Sequence, residues 1–324
     1  MERLIDHFGR RITYIRFSVT PHCNFDCIYC SSHISESAKS KEFNLDDIAF
    51  LFNTASQLGI KKVRLTGGEP LVRKDITDIV KKLSVNKEIK EIVLTTNGSL
   101  LKYLAEPLKE AGLTRVNISL DSMRRDIFKK ITKRDEFNNV IEGIKKSVEV
   151  GLVPIKVNAV LMRGINEEDV IPIVELSLHY PIIVRFIELM PVKGDNFWRD
   201  HYMPFSKALN VIREKYKLVK SEGANGEVAD YYKVVGSEGK VGFITPVSQH
   251  FCSNCNRIRI TASGKIYPCL FSEEYVDIWE SVKAKRRNEL VKLIKRSVEI
   301  KPKEHGPIEL DDKIFIENMR ELGG

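Results

Sequence analysis

The chain has 324 residues, of which 43% are apolar and 30% charged, the balance of a soluble globular protein with one large domain or one domain and an appendage. No run approaches the roughly 20 apolar residues of a membrane-spanning helix, and the opening MERLIDHFGRRITYIRF lacks an apolar core followed by a cleavage site, so a cytoplasmic protein without a membrane partner is expected. The net charge of +8, from 52 basic against 44 acidic residues, suits an anionic partner without identifying it.

In chain order, the first two-thirds alternates short β-rich runs with helical patterns, the signature of βα units around a parallel sheet. Strands are predicted over Ile12–Val19, Lys62–Thr66, Glu91–Thr95, Arg115–Leu120, Ile155–Val160 and Ile182–Leu189. Helices are predicted between them over Leu45–Leu58 (Asn44 as N-cap), Ile76–Leu83, Leu100–Ala111, Phe137–Val150 and Glu167–Leu178. Six such units predict an α/β fold, an incomplete (β/α)6 TIM-like barrel over residues 1–190. Past Met190 the rhythm changes: a loop over Pro191–Tyr202, a helix over Phe205–Lys215, a hairpin of Tyr231–Val235 with Lys240–Ile244, and a helix over Asn288–Val298. Residues 191–324 are read as a smaller C-terminal α+β domain closing the open side of the barrel.

Strand side chains alternate faces, so one face can be read from sequence. Ile15 and Phe17 alternate with Arg16 and Ser18; Val63 and Leu65 with Lys62, Arg64 and Thr66; Ile92 and Leu94 with Thr95; Val116 and Ile118 with Asn117 and Ser119; Val157 with Lys156 and Asn158. The apolar faces suit packing under the helices. The opposite faces are basic where a filled barrel would carry Val, Ile and Leu. Cations turned into a barrel are costly unless a multiply charged anion occupies it. Solvent exposure of these faces is the plainer alternative, which the intervening helices disfavour. Polar motifs also fall where strands end: PHCNFDCIYC, TGGEP, TTNG, SLD and ELMP. In barrels the carboxyl ends of the strands carry the site.

The six cysteines form two trios, Cys23, Cys27 and Cys30, then Cys252, Cys255 and Cys269. In a reducing compartment such groups read first as metal ligands. Three thiolates on a four-iron cubane leave one iron open. A zinc site is the alternative for each trio, with His22 or His250 as fourth ligand.

The first trio, with Tyr29 before its last cysteine, resembles the signature of the radical S-adenosylmethionine (SAM) superfamily, and Gly67-Gly68-Glu69-Pro70 resembles its glycine-rich motif for the SAM amino group. That resemblance implies a [4Fe-4S] cluster on Cys23, Cys27 and Cys30, and SAM contacts at Tyr29, Gly68, Ser119 and Met190. Ser31-Ser32 stands where many relatives have Met-Pro.

The run CSNCNRIRITASGKIYPCLF, from Cys252 to Phe271, closely resembles the C-terminal motif of the molybdenum-cofactor GTP 3′,8-cyclases (MoaA-type). It implies a second [4Fe-4S] cluster on Cys252, Cys255 and Cys269 that contacts the substrate. Arg16, Arg64, Thr95, Lys156, Arg257, Ile258 and Arg259 match GTP-binding positions, with Arg185 as accessory and Gly323-Gly324 as a C-terminal tail entering the site. Ser263 replaces a more usual Asp. The reaction implied is hydrogen abstraction from the ribose C3′ of GTP and closure onto guanine C8. An external one-electron donor, a downstream cyclic pyranopterin synthase and a homodimer are implied as partners. Nucleic acid is not, although a zinc-containing nucleic-acid-binding protein is a rival on charge alone. A peptide-modifying radical SAM maturase is the nearer rival.

Overall fold

The computed structural model describes residues 3–30, 41–192, 197–221, 229–249, 251–306, 316 and 319–323. The first two-thirds runs β1 (Tyr14–Ser18), α1 (Leu45–Gln57), β2 (Lys62–Thr66), α2 (Ile76–Ser84), β3 (Glu91–Thr96), α3 (Leu101–Glu110) and β4 (Arg115–Ser119). It continues through α4 (Arg125–Thr132), α5 (Phe137–Glu149), β5 (Ile155–Leu161), α6 (Val170–His179) and β6 (Ile182–Glu188). All six predicted strands form within two residues of their expected ends.

Helix α1 begins where the sequence places it. The Asn44 side chain accepts from the Asp47 N–H at 2.9 Å, and the Asp47 carboxylate accepts from the Asn44 N–H at 3.3 Å, a reciprocal cap. Its inner face buries Ile48, Leu51, Phe52 and Ala55, and Phe52 meets Phe17 of β1 edge to face at 5.4 Å. Each large apolar side chain so buried contributes about 1.5–3 kcal/mol. The apolar strand faces read from the alternation lie in this same core, including Ile15, Val63, Leu94, Val116, Ile118 and Val157. The periodicity missed α4, a two-turn helix without a side-chain cap that buries Phe128 and Ile131.

The C-terminal third supplies α7 (Phe197–His201), α8 (Phe205–Lys215), β7 (Leu218–Ser221), β8 (Asp230–Val234), β9 (Lys240–Ile244) and β10 (Arg257–Ile260). There follow β11 (Lys265–Tyr267), β12 (Val276–Asp277), α9 (Trp279–Lys283), α10 (Arg287–Glu299) and α11 (Met319–Leu322). The predicted helix and hairpin appear as α8 and as β8–β9. Helix α7 interrupts the segment expected to be loop.

The sheet departs from the six-stranded expectation. Its order is β12-β11-β10-β1-β2-β3-β4-β5-β6-β9-β8-β7. Strand β10 pairs parallel to β1 and β9 parallel to β6, so the C-terminal third flanks the six predicted strands with two more of the same direction. Antiparallel strands continue outward on both sides, and the end strands β12 and β7 do not close on each other. The sheet is therefore an open, parallel-rich partial barrel, continuous across residue 190. Asp47 ties its two ends of sequence together, pairing with Lys283 and Lys285 at 2.8 and 2.5 Å. No helix among the described residues is long and apolar enough to cross a membrane.

Candidate active site

The first cysteine trio lies on the loop that leaves β1, and the ends of four neighbouring strands hold that loop. Gly68 N–H donates to the Thr20 carbonyl at 2.9 Å and Glu69 N–H to that of His22 at 2.8 Å. A Cβ on Gly67 would stand 2.3 Å from the Thr20 oxygen, and one on Gly68 2.4 Å from the His22 oxygen. The two glycines are needed because main chain packs on main chain.

Glu69 is buried and accepts from Thr96 Oγ1 and Asn97 N–H at 2.7 Å and from Leu71 N–H at 2.9 Å. Burial pushes its carboxyl up to about 7, against those three hydrogen bonds. Tyr29 donates its hydroxyl to Asp121 Oδ2 at 2.8 Å, and the Val160 N–H donates to Oδ1 at 2.8 Å, which fastens the loop to the ends of β4 and β5. Burial lifts Asp121 to about 6. The three thiols are half-buried and free of disulfides. Burial raises Cys23 to about 11 and moves Cys27 and Cys30 upward as well.

The polar strand faces enclose a cavity of about 600 Å³. Among the described residues ten lysines and arginines line it with one carboxylate, Glu91, which is itself paired with Lys62 at 2.8 Å and Arg115 at 2.5 Å. The register sets Arg16 of β1 beside Arg64 of β2 on one side and Arg259 of β10 on the other. Arg64 is only 6% exposed, and its Nε has no hydrogen-bond partner among the described residues. Burial lowers Arg64 to about 9 and holds Arg259 well below the usual guanidinium range.

Tyr14 sits among these cations, with the Arg16 Nε donating to its hydroxyl at 3.3 Å. Burial alone would raise the Tyr14 phenol, but Arg64, Arg16 and Arg257 pull it down to about 7. Lys156 reaches the Tyr231 hydroxyl at 3.5 Å, and Arg185 donates to Asn158 Oδ1 at 2.9 Å.

The second trio lines the same cavity. Cys252 opens a short 3-10 turn, Cys255 precedes β10, and Cys269 follows β11. Burial opposes ionisation of Cys255, yet Arg257 and Lys301 bring its thiol down to about 7. Free thiols gathered on one cavity wall from the two ends of the β10–β11 hairpin, and flanked by cations, suit anionic thiolate ligands of a cluster. Among the described residues no three His, Cys, Asp or Glu side chains converge on a single-ion site. His22 is exposed; His250, the other imidazole considered for zinc, lies outside the described residues.

Helix α11 connects the two regions. Met319 lines the cavity, while Arg320 pairs with Asp26 on the first loop at 2.6 Å and donates to the Phe25 carbonyl at 3.2 Å. Arg259 donates to the carbonyls of Leu322 and Gly323 at 3.3 and 2.5 Å. Gly323 has φ +72°, and a Cβ there would meet Thr66 Cγ2 at 2.2 Å. Phe271 packs against clusters that include Tyr29 on one side and Met190 and Leu322 on the other.

Of the residues singled out from sequence, Arg16, Arg64, Lys156, Arg185, Arg257, Arg259, Met190 and the second trio share the cavity wall. Thr95 and Ser119 are half-buried on the β3 and β4 edges of the site, outside the cavity lining, as are Gly68, Tyr29 and the first trio. Ile258 is fully buried in the core on the other face of β10, leaving only its main chain toward the site. Gly324, Ser31 and Ser32 lie outside the described residues. Sequence reasoning did not single out Tyr14, Arg115, Tyr231, Lys240 or Lys301. Tyr14 was findable, because it precedes Arg16 by two on the same strand face.

Solved structures share this fold. The SAM-bound SuiB of Streptococcus suis superposes with TM-score 0.63 at 15% identity, over 89% of this chain and 69% of its own. Native anSMEcpe with bound AdoMet gives 0.61 at 16% identity, over 86% and 82%. Residues 17–177 match the profile of the Radical SAM superfamily and residues 182–307 that of Molybdenum Cofactor Synthesis C. The class so defined is the radical SAM enzymes, whose cofactors are SAM and iron–sulfur clusters.

Curated relatives narrow the class. The GTP 3′,8-cyclase of Desulforamulus reducens is 41% identical over 93% of this chain and 95% of its own. That of Clostridium botulinum strain Langeland is 40% identical over 99% and 100%, and that of Moorella thermoacetica 41% over 93% and 94%. The chain belongs to the GTP 3′,8-cyclase family of the radical SAM superfamily.

Proposed function

We propose that this chain is a GTP 3′,8-cyclase, a radical SAM lyase that opens molybdenum-cofactor synthesis by joining the ribose C3′ of GTP to guanine C8. The product is (8S)-3′,8-cyclo-7,8-dihydroguanosine 5′-triphosphate. The observation that carries this reading is the cavity itself, where among the described residues ten lysines and arginines gather with one carboxylate beside three free thiols. A triphosphate matches such a lining, since planar arginines bind its oxygens in bidentate fashion and lysines act as point charges.

Arg16, Arg64, Lys156, Arg257 and Arg259 are assigned to GTP, with Thr95 at the rim, Ile258 through its main chain and Arg185 as accessory. The unpaired Nε of buried Arg64 favours an acceptor arriving with substrate. Cys252, Cys255 and Cys269 are assigned to a second [4Fe-4S] cluster facing the base. Cys23, Cys27 and Cys30 are assigned to the first, with Tyr29, Gly68, Ser119 and Met190 around SAM. When bound, the first cluster and SAM supply a 5′-deoxyadenosyl radical that takes hydrogen from the substrate. The chain's own part is to hold GTP in one orientation, and the apolar rim of Met190, Leu270, Phe271 and Met319 excludes water that would quench a radical.

Residues 1–190 are proposed as the SAM-cleaving unit and 191–324 as the unit bearing the second cluster and the Gly323–Gly324 tail. An external one-electron donor, a separate cyclic pyranopterin synthase that takes the product, a homodimer and a cytoplasmic location complete the proposal.

One anaerobic assay tests it by following iron per chain, SAM cleavage and GTP consumption together. Cys252→Ser is expected to keep SAM cleavage and lose cyclisation. A Cys252→Ser chain that still forms product, or wild-type turnover of a peptide with none of GTP, would sink the assignment.

A further inference from the structure

We infer that Lys301 is the positioning residue of the second thiol trio: its ammonium clamps the two stretches of chain that carry Cys255 and Cys269, and its charge sets the reduction potential of the cluster they hold. The inference rests on the cluster reading of that trio and adds to it a residue that no strand pattern or cysteine motif points to.

Lys301 is 3% exposed. Its Nζ donates to the Arg257 carbonyl at 3.0 Å and to the Pro268 carbonyl at 2.5 Å. The first carbonyl lies two residues after Cys255 and the second one residue before Cys269, so one ammonium closes both ends of the β10–β11 hairpin. Among the described residues no carboxylate lies within ion-pair distance of it. A buried cation whose partners are neutral carbonyls is costly unless an anion stands nearby. The anionic candidates here are the sulfurs of Cys255 and Cys269, whose charges act on Lys301.

The next residues of the same strap hold the third cysteine. Arg10 donates through Nη2 to the Pro302 carbonyl at 2.6 Å and through Nη1 to that of Lys303 at 2.8 Å. The same Nη1 donates to the Cys252 carbonyl at 2.9 Å, and Asp6 fixes the guanidinium through Nε at 2.6 Å. Residues 301–303 are thus tied to all three cysteine-bearing stretches, and Lys301 is the member whose charged side chain is buried against them.

Cluster potentials respond to net charge and to hydrogen bonding around the sulfurs. Reduction adds an electron to an already anionic assembly, so a neighbouring ammonium favours the reduced form. Removing that charge moves the midpoint to more negative potential. A residue of merely structural importance would leave a cluster that still assembles with its midpoint unmoved.

The test is an EPR-monitored redox titration of the full-length holoenzyme, beside iron per chain, with SAM added to mark the first cluster's signal. Lys301→Gln keeps hydrogen-bond donors without charge. It is expected to retain both clusters and shift the second midpoint negative by at least about 59 mV, a tenfold change in the one-electron equilibrium. Lys301→Met loses clamp and charge together, and is expected to lose the second cluster's iron while the SAM-responsive signal persists. Lys301→Arg should restore both properties toward wild type. A Gln variant with an unmoved midpoint overturns the inference, and it decides the matter if the Met variant fails to fold. A wild-type chain whose second trio takes up no iron removes the cluster reading, and this one with it.

Discussion

Gly68→Ala probes how the first cysteine loop is held. The new Cβ would lie 2.4 Å from the His22 oxygen and 2.6 Å from the Pro21 oxygen. Both are main-chain atoms and cannot rotate aside, so the loop must retreat by about 1 Å to reach ordinary contact. Overpacking of this kind costs about 1–3 kcal/mol, and severing the Gly68–Thr20 and Glu69–His22 bonds adds about 0.5–1.5 kcal/mol each. The total, about 2–6 kcal/mol, is below or near the whole stability of a typical domain. Retreat of the loop relieves the clash without breaking the sheet, so the damage should stay local to residues 20–30. The assay is iron per chain and SAM cleavage after anaerobic reconstitution, beside thermal unfolding by circular dichroism. The expected result is loss of the first cluster's iron and of SAM cleavage, with the second cluster's iron kept and the sheet still folded. A Gly68→Ala chain with wild-type iron and an unchanged Tm would refute the close-approach argument.

Two further variants probe the cation-lined cavity. Arg64→Met should stabilise the ligand-free chain, because a buried guanidinium whose Nε lacks a partner among the described residues gives way to an apolar side chain. The same change should weaken GTP binding at least tenfold, measured by unfolding and by calorimetry; a chain destabilised without loss of affinity would contradict it. Tyr14→Phe should alter pH dependence. The phenol lies at about 7 against its ordinary 10, so the stability it contributes is full above about 10 and is lost as pH falls toward about 7. Without it, the rise in Tm across that window should flatten. A bound triphosphate would compete for the same arginines and return the proton to Tyr14. Proton uptake on GTP binding above pH 7 should therefore vanish in Tyr14→Phe, as read by calorimetry in buffers of differing ionisation enthalpy.

Much of the architecture was legible because the signals are local and periodic. Strand alternation has a period of two, so Arg16, Arg64 and Lys156 could be assigned to one face before any tertiary contact was known. Asn44 announced α1 because capping is settled within four residues. Helix α4 escaped, since RDIFKKIT offers only two turns, no capping side chain and a short apolar stripe. The two additional parallel strands escaped for a different reason. KVGFI and RIRI look like short strands from sequence, but their partners are β6 and β1, and nothing local encodes a pairing across that distance.

The amino-acid sequence by itself determined the βα rhythm, the cationic strand faces, the two thiol trios and the family motifs around them, since each is written in the spacing of neighbouring residues. Only the tertiary structure decided that the C-terminal third extends the same sheet at both flanks and that Arg259 holds the carbonyls of Leu322 and Gly323. It also decided that Lys301, in an unremarkable KPKEH stretch, closes the hairpin carrying Cys255 and Cys269. A lysine's partners depend on which backbone carbonyls the fold brings within 3 Å of it, and that is set by packing over the whole chain.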